Sequence, residues 1–364
     1  MSMIEGLEYL LDGSEQPGLA ELRRRLGELL GGTAVACRLI EQQQLPSRHP
    51  RVYRLRFTVN DEVRSLVVKR LEPAIAQRNY LVTRRWLPAL GLDGHGPALL
   101  GAAAEPSGQY IWHVYEDLGD WALDARDPDP ARMRAAVEVI VQVHTRFAGH
   151  PLLPECRLYG GDLGMHFFES NVRDAIRSLE WLRPPRVALS SERRALRDRL
   201  LARLNLLLEE QPARAQALTE FGGVETLLHG DLWTTNTFVI PAAGGYRARL
   251  IDWDHAGVGP FTYDLSTFLL RFPAQSRAWI LGLYGELASP SGWRLPAGRD
   301  LNLVFETAEY ARFANRIIWP AVALAEEQAD WGFEELAEIE GWFEDLQPVF
   351  AEITEPCAAS ALQP

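Results

Sequence analysis

The stretch HGDLWTTN occupies residues 229–236, and LIDWDHAGVGPFTYDLS follows at residues 250–266. Asp231 and Asn236 stand five positions apart on a predicted loop after a strand, and Asp252 ends a second predicted strand one hairpin later. Phosphoryl transfer to a hydroxyl needs a carboxylate that takes the proton of the acceptor, and oxygen ligands that hold Mg²⁺ against the phosphates. The two stretches supply both kinds of group.

The same spacing occurs in the protein-kinase pattern H-R-D-L-x-x-x-N followed by D-F-G, where these positions hold the base and two metal ligands. It predicts Asp231 as the catalytic base and Asn236 and Asp252 as ligands of Mg²⁺. Loop capping by Asp231 and a strand-terminal turn at Asp252 are the structural alternatives, but the joint match of three residues favours catalysis. We expect the ring of His229 to bond loop backbone, whereas Asp254 is either an acid beside the metal or a solvated loop charge.

The chain before these motifs is rich in predicted strands. Residues 52–59 alternate apolar and basic side chains, residues 60–62 are typical of a turn, and residues 66–69 form a second strand. A helix over 74–88 and an apolar strand over 111–115 follow. This order predicts a hairpin, a helix and a further strand.

The chain beyond residue 120 is mainly helical. Asp129-Pro130 indicates a helix start, because the carboxylate can cap the helix and proline suits its first position. Leucines at helical spacing mark a helix that opens at residues 190–192. These leucines lie at 196, 200, 204 and 207 or 208. Strand-like segments return at 225–228, 237–240 and 248–251, so the motifs lie on a short β insertion.

The two stretches closely resemble the aminoglycoside phosphotransferase and choline kinase-like group of the phosphotransferase enzyme family, whose members carry HGD and DW. The order of elements matches that group from about residue 30 to 350, and the specific motifs occupy 228–266. The resemblance implies an α+β, protein-kinase-like two-lobed fold. It implies a small β-rich, nucleotide-binding N-lobe over 1–117. A larger, mainly helical C-lobe over 118–364 would hold the catalytic loop, metal site and substrate pocket.

The resemblance also implies roles for residues outside the two metal-binding positions. It makes Asp264 an aspartate that braces the catalytic loop, and Lys69 the strand lysine that contacts the phosphates of ATP, with an exposed strand lysine as the alternative. The backbone of Glu116 to Leu118 matches the hinge that meets adenine. The phosphate-contacting loop falls near residues 45–51, where Ser47 and backbone amides would contact phosphate.

Three departures from the template are visible. No acid occurs between Glu72 and Asp93, where the template has a helical partner for the lysine, and Asn79 or Tyr80 falls near that position. Either a neutral hydrogen bond replaces the ion pair or the strand register differs. The segment from residue 34 to 61 contains no glycine, unlike many phosphate loops. Gly230 replaces the arginine that binds a phosphorylated activation loop, which predicts a constitutively assembled site.

The composition limits the classes of partner that the protein is expected to bind. The net charge of −12 disfavours nucleic acid and is compatible with a cationic or neutral small molecule, or with solubility alone. Acidic residues crowd 326–345, and Trp319, Trp331 and Trp342 could surround a quaternary ammonium. A solvated helix face and ordinary core tryptophans are the favoured explanations. The three distant cysteines, the lack of a signal-peptide pattern and the lack of a long apolar stretch predict a cytoplasmic protein without a membrane partner.

These observations predict a kinase that moves the γ-phosphate of ATP to a hydroxyl of a small molecule of the aminoglycoside, amino-alcohol or sugar class, with Mg²⁺ as cofactor. The alternative is a catalytically inactive pseudokinase or scaffold that binds nucleotide, which the missing acid partner and the glycine-free loop support. The intact Asp231, Asn236 and Asp252 weigh against it. Transfer onto protein hydroxyls is disfavoured, since the sequence shows no recognisable peptide-docking segment.

Overall fold

The computed structural model describes residues 4–11, 16–31, 36–46, 51–126, 128–296 and 298–350. Contacts divide the chain into two units, each built from two segments. The first unit comprises Met1–Asp162 and Glu225–Gly259, and the second comprises Leu163–Val224 and Pro260–Pro364. The lobe boundary expected after residue 117 was based on the family resemblance and not on contacts, and it stays a prediction.

The first unit contains an antiparallel five-stranded sheet with strand order β1-β2-β3-β5-β4. The strands are β1 (Cys37–Gln44), β2 (Val52–Val59), β3 (Glu62–Leu71), β4 (Leu99–Ala104) and β5 (Ile111–Glu116). Asn60 and Asp61 join β2 to β3 with φ of 50° and 68°. Positive φ at both central residues is typical of a two-residue hairpin, so the predicted turn is confirmed.

One face of this sheet is covered by the helix α1 (Leu19–Gly31). Its buried leucines, four residues apart, share a core with apolar side chains of the strands, because positions i and i+4 lie on the same face of a helix. The members of this core from α1, β2 and β5 include Leu22, Leu26, Leu30, Leu55, Phe57, Trp112 and Val114. The apolar residues at alternate positions of the segment 52–59 therefore lie in this core.

The rest of the first unit consists of helices and short strands, and its loops carry the HGD motif and Asp252. The helix predicted over 74–88 runs as α2 (Pro73–Leu81), a π-helical turn (Val82–Trp86) and α3 (Leu87–Ala89). Two further helices are α4 (Pro130–Phe147) and α5 (Leu153–Gly160), and four short strands follow. These strands are β6 (Glu225–Leu228), β7 (Thr237–Ala242), β8 (Gly245–Leu250) and β9 (Gly257–Pro260), in the pairs β6-β9 and β7-β8. The side chain of Asp129 accepts a hydrogen bond from Arg132 N at 2.8 Å, which confirms the predicted cap of α4.

The second unit is helical. Its helices are α6 (Met165–Glu180), α7 (Ser191–Glu209), α8 (Gln211–Phe221), α9 (Thr262–Leu270), α10 (Ala274–Ala288), α11 (Gly298–Glu326) and α12 (Trp331–Asp345). The predicted leucine stripe of α7 is confirmed, since its members Leu196, Leu200, Leu204 and Leu207 are all buried. They share one core with apolar residues of α6, α11 and α12.

The acidic and aromatic residues near the end of α11 and in α12 have ordinary surroundings. Trp342 packs against the core of the second unit, while Trp319 and Trp331 are exposed. Glu340 forms an ion pair with Arg199 at 2.8 Å. Most acidic residues of 326–345 are exposed, as the sequence favoured. The interpretation as core tryptophans holds for Trp342 but is wrong for Trp319 and Trp331. Within the described residues, no helix has the length and apolar character that crossing a bilayer requires.

Candidate active site

The loop between β6 and β7 carries the HGD motif. His229 is buried, and its Nε2 lies 2.8 Å from the carbonyl oxygen of Ile251. The His229 and Trp253 rings lie 4.6 Å apart between centroids. The expectation that His229 bonds loop backbone is confirmed, and this contact joins the HGD loop to the chain that leads into Asp252.

Hydrogen bonds within the same loop hold the carboxylate and backbone of Asp231. The indole Nε1 of Trp233 donates to Asp231 Oδ1 at 2.7 Å, and Nδ2 of Asn236 donates to the main-chain oxygen of Asp231 at 2.9 Å. A hydrogen bond from an indole to a charged oxygen fixes the direction of the carboxylate. Trp233 was not predicted from the sequence, where its only signal was its position two residues after the aspartate.

Gly230 is required by space and by backbone conformation. Its φ is +79°, and a Cβ at this position would lie 1.9 Å from the carbonyl oxygen of His255. Such a contact with backbone cannot be relieved by moving a side chain, and non-glycine residues are strained at this φ. The glycine in HGD therefore lets this loop approach the turn after Asp252.

Replacing Gly230 with alanine should cost about 3 kcal/mol of unfolding free energy, because it adds the strain of a positive φ to overpacking. Gly244 is the matched control, since its φ is +86° but nothing lies within 4 Å of an added Cβ. Gly244→Ala should cost only about 1 kcal/mol. Thermal and urea unfolding measure both. Equal costs would contradict the close approach at Gly230.

Asp252 follows β8 in a left-handed conformation, with φ 63° and ψ 61°. The amide nitrogen of Ile251 donates to the main-chain oxygen of Asn236 at 2.9 Å, which ties the two predicted ligand positions together through backbone. Burial alone would raise the pKa of Asp252, but the charge and hydrogen bond of Lys69 hold that pKa below its usual range. The carboxylate is therefore ionised at neutral pH and remains partly accessible, with 37% of its side chain exposed.

Lys69 of β3 is a buried cation between two aspartates. Its Nζ lies 2.6 Å from Asp252 Oδ1 and 2.7 Å from Asp254 Oδ1. Since only 8% of its side chain is exposed, the exposed-lysine alternative is wrong. Asp254 is 4% exposed, so its interpretation as a solvated loop charge is also wrong.

The carboxylate missing from the helix is thus supplied by the turn after β8. Asn79 of α2, one of the two residues near the position where we expected an acid, donates from Nδ2 to Asp254 Oδ1 at 2.9 Å. A signal was present in the sequence, because Lys69 is the only lysine among 37 basic residues and the others are arginines. The compact amine of Lys69 differs from the planar guanidinium groups of the arginines.

The family of the chain follows from a comparison with protein-family models. Residues 41–299 match the model described as the phosphotransferase enzyme family, which is more than half of the chain. The chain belongs to the phosphotransferase enzyme family. A comparison with curated proteins found no significant match.

Solved structures similar to this phosphotransferase-family chain show its fold. The GDP complex of aminoglycoside 2′-phosphotransferase-IIIa is 16% identical, with 88% of this chain and 98% of that chain covered and a TM-score of 0.56. An ethanolamine kinase of Plasmodium vivax is 10% identical, with 92% of each chain covered and a TM-score of 0.55. The choline kinase LicA of Streptococcus pneumoniae is 14% identical, with 89% and 98% covered and a TM-score of 0.51. The expected α+β, protein-kinase-like fold is confirmed.

The segment predicted to be the hinge, Glu116 to Leu118, is held by side-chain contacts. Glu116 ion-pairs with Arg249, and its Oε1 also accepts a hydrogen bond from Ala98 N at 2.7 Å. Asp117 pairs with the buried Arg54 at 2.9 Å. These contacts fix the backbone around Glu116 and Leu118, and the contact of that backbone with adenine stays a prediction.

The proposed roles of two further residues stay predictions. Ser47 lies outside the described residues, so its contact with phosphate stays a prediction. Asp264 lies in α9 of the second unit and is buried. Its role as a brace of the catalytic loop also stays a prediction.

Proposed function

We propose that this chain is an ATP-dependent phosphotransferase that moves the γ-phosphate to a hydroxyl of a small molecule. The observation that carries the proposal is the set of hydrogen bonds that links Lys69, Asp252, Asn236 and Asp231 within one unit. Family membership supports the same reaction class. Each residue then has a separate task.

Asp231 acts as the base in this proposal. Trp233 fixes one oxygen of its carboxylate, and an ionised carboxylate has acceptor sites for several hydrogen bonds. A hydroxyl held against this carboxylate can pass its proton to it while the hydroxyl oxygen attacks the γ-phosphorus, whose bond to the bridging oxygen breaks and releases ADP. The half-buried position of Asp231 lets it meet an acceptor from solvent.

Asn236 and Asp252 fit a magnesium ion. Asp252 is ionised and accessible, and the bond from Asn236 Nδ2 to Asp231 leaves the amide oxygen as the atom suited to a metal. Mg²⁺ takes oxygen ligands and is usually held by one or two carboxylates together with substrate phosphates. When bound, it would neutralise charge on the phosphates. Lys69 would supply a second positive charge to them as a point charge.

The acceptor is proposed to be an aminoglycoside, an amino alcohol or a sugar. The similar structures include an aminoglycoside phosphotransferase, an ethanolamine kinase and a choline kinase, whose named substrates carry both an amine and a hydroxyl. The net charge of −12 suits a cationic acceptor. The similar protein in complex with GDP supports a nucleotide as the phosphate donor.

A nucleotide-binding pseudokinase is the second candidate. One of the two observations that favoured it was the missing acid partner of Lys69. That observation no longer holds, because Lys69 contacts Asp254. A phosphorylation screen with Mg-ATP over aminoglycosides, choline, ethanolamine, homoserine and common sugars separates the two candidates, since only the phosphotransferase forms a phosphorylated product.

Mg-ATP should raise the unfolding temperature of the protein, because a ligand that binds only the native state stabilises it by about 2.7 kcal/mol at 100 times its Kd. Asp252→Ala should weaken this stabilisation, since it removes a proposed ligand of Mg²⁺. Thermal unfolding with and without Mg-ATP and Mg-GTP measures both effects. If neither nucleotide shifted the wild-type transition at millimolar concentration, both candidate functions would be wrong.

A further inference from the structure

The environment of Asp254 is unusual for a loop residue. Asp254 lies in the short turn Trp253–His255 after β8, yet its side chain is almost fully buried. Its Oδ1 accepts hydrogen bonds from Lys69 Nζ at 2.7 Å and from Asn79 Nδ2 at 2.9 Å. Its Oδ2 lies 3.6 Å from an Arg51 guanidinium nitrogen. A buried carboxylate with partners on three elements is a fixed charge, because leaving it unpaired would cost several kcal/mol.

We propose that Asp254 is the residue that positions Lys69 for the phosphates, with Asn79 as its anchor on α2. This inference rests on the proposed function. In the kinase template an acid on the helix pairs with the strand lysine. Here the carboxylate has moved to the turn after β8, and the helix keeps an amide that donates to it.

Asp252 cannot serve this purpose as well as Asp254. It is partly exposed, and in the proposed function its carboxylate is a ligand of Mg²⁺. A lysine held only by Asp252 would lose its partner when that carboxylate turns to a metal. Asp254 keeps Lys69 in place throughout, because its own contacts are to protein groups.

The amide of Asn79 complements this arrangement. An amide nitrogen donates to Asp254 without adding a second negative charge, whereas an acid at this position would repel Asp254. The neighbouring Arg78 also donates to the main-chain oxygen of Asp254. Arg78 and Asn79, two consecutive residues of α2, therefore both contact Asp254, which in turn contacts Lys69. A shift of α2 would thus also shift the lysine amine.

Asp254→Asn tests the proposal, since it removes the charge and keeps the shape. The Kd for Mg-ATP should rise about tenfold to a hundredfold, as expected when a hydrogen bond to a charged group is lost, and kcat on an identified acceptor should fall. Glu309→Gln is a control for the loss of a buried ion pair, because Glu309 pairs with Arg271 in the second unit. It should lower the unfolding temperature but leave the Kd for Mg-ATP unchanged.

An exchange of the two side chains gives the sharpest measurement. Asn79 and Lys69 bond the same oxygen of Asp254, so a carboxylate at position 79 would be separated from the amine by only this shared side chain. Asn79→Asp combined with Asp254→Asn should restore the Kd to within about threefold of wild type, because it restores one carboxylate and one amide. Asn79→Asp alone should weaken binding of Mg-ATP, because it places two carboxylates side by side.

The single lysine allows a readout that does not need catalysis. An amine-reactive ester can modify only Lys69 and the N-terminal amine, so mass spectrometry reports on Lys69 directly. Loss of Asp254 should make Lys69 react faster, and the exchanged pair should slow it again. Wild-type protein that fails to bind Mg-ATP would count against the proposed function. Two results would overturn the role of Asp254. The first is an Asp254→Asn variant that binds Mg-ATP with the Kd of the wild type. The second is an exchanged pair whose Kd is no better than that of Asp254→Asn.

Discussion

Replacing Asp231 with asparagine should lower kcat on an identified acceptor by about 10²- to 10⁴-fold, the usual contribution of a general base. An asparagine can still accept the indole hydrogen bond of Trp233, so the loop should keep its structure. It cannot take the proton of the hydroxyl at neutral pH. Since this carboxylate faces the acceptor in the proposed function, the Kd for Mg-ATP should remain near its wild-type value.

Trp233→Phe is the matched control for this experiment. It keeps an aromatic ring beside the loop and removes the nitrogen that donates to Asp231 Oδ1. Its effect on kcat should be smaller than that of Asp231→Asn, because the base remains and only its direction is less fixed. Steady-state kinetics and calorimetric titration with Mg-ATP separate the two. Wild-type turnover by Asp231→Asn would show that another group acts as the base.

Lys69→Ala should cost about 2–4 kcal/mol in kcat/KM, as for the loss of one preorganised electrostatic donor. The structure adds a second reason for a large effect. Removal of the amine takes from Asp252 and Asp254 the cation that both contact, and removing one partner of a buried ion pair is destabilising. The pKa of Asp252 should rise, because Lys69 is what holds it below its usual range.

Arg64→Ala provides the comparison, since Arg64 lies on the same strand and is exposed. Surface substitutions usually change stability by less than about 0.5 kcal/mol, and this variant should keep wild-type kcat/KM. Lys69→Arg tests whether charge alone suffices, and we expect it to lose activity because a planar guanidinium does not replace a compact amine. A Lys69→Ala variant that behaved like Arg64→Ala would contradict the contact of Lys69 with phosphate.

The sequence by itself determined several elements and the backbone contact of the HGD loop. The hairpin at Asn60-Asp61, the Asp129 cap and the leucine stripe of α7 were all predicted and are all observed. The same holds for His229, whose ring bonds the backbone before Asp252. These features depend on residues a few positions apart, or on a motif of fixed spacing, so a local pattern is enough to predict them.

The tertiary structure alone decided which acid meets Lys69. Lys69 and Asp254 are 185 positions apart, and Asn79 is 175 positions from the same carboxylate. Neither periodicity nor spacing constrains such pairs, because they depend on how β3, α2 and the turn after β8 pack together. The sequence showed that a helical acid was missing and that only one lysine was present. Burial then decided the pairing, because an amine and a carboxylate enclosed away from water are stable only when they meet.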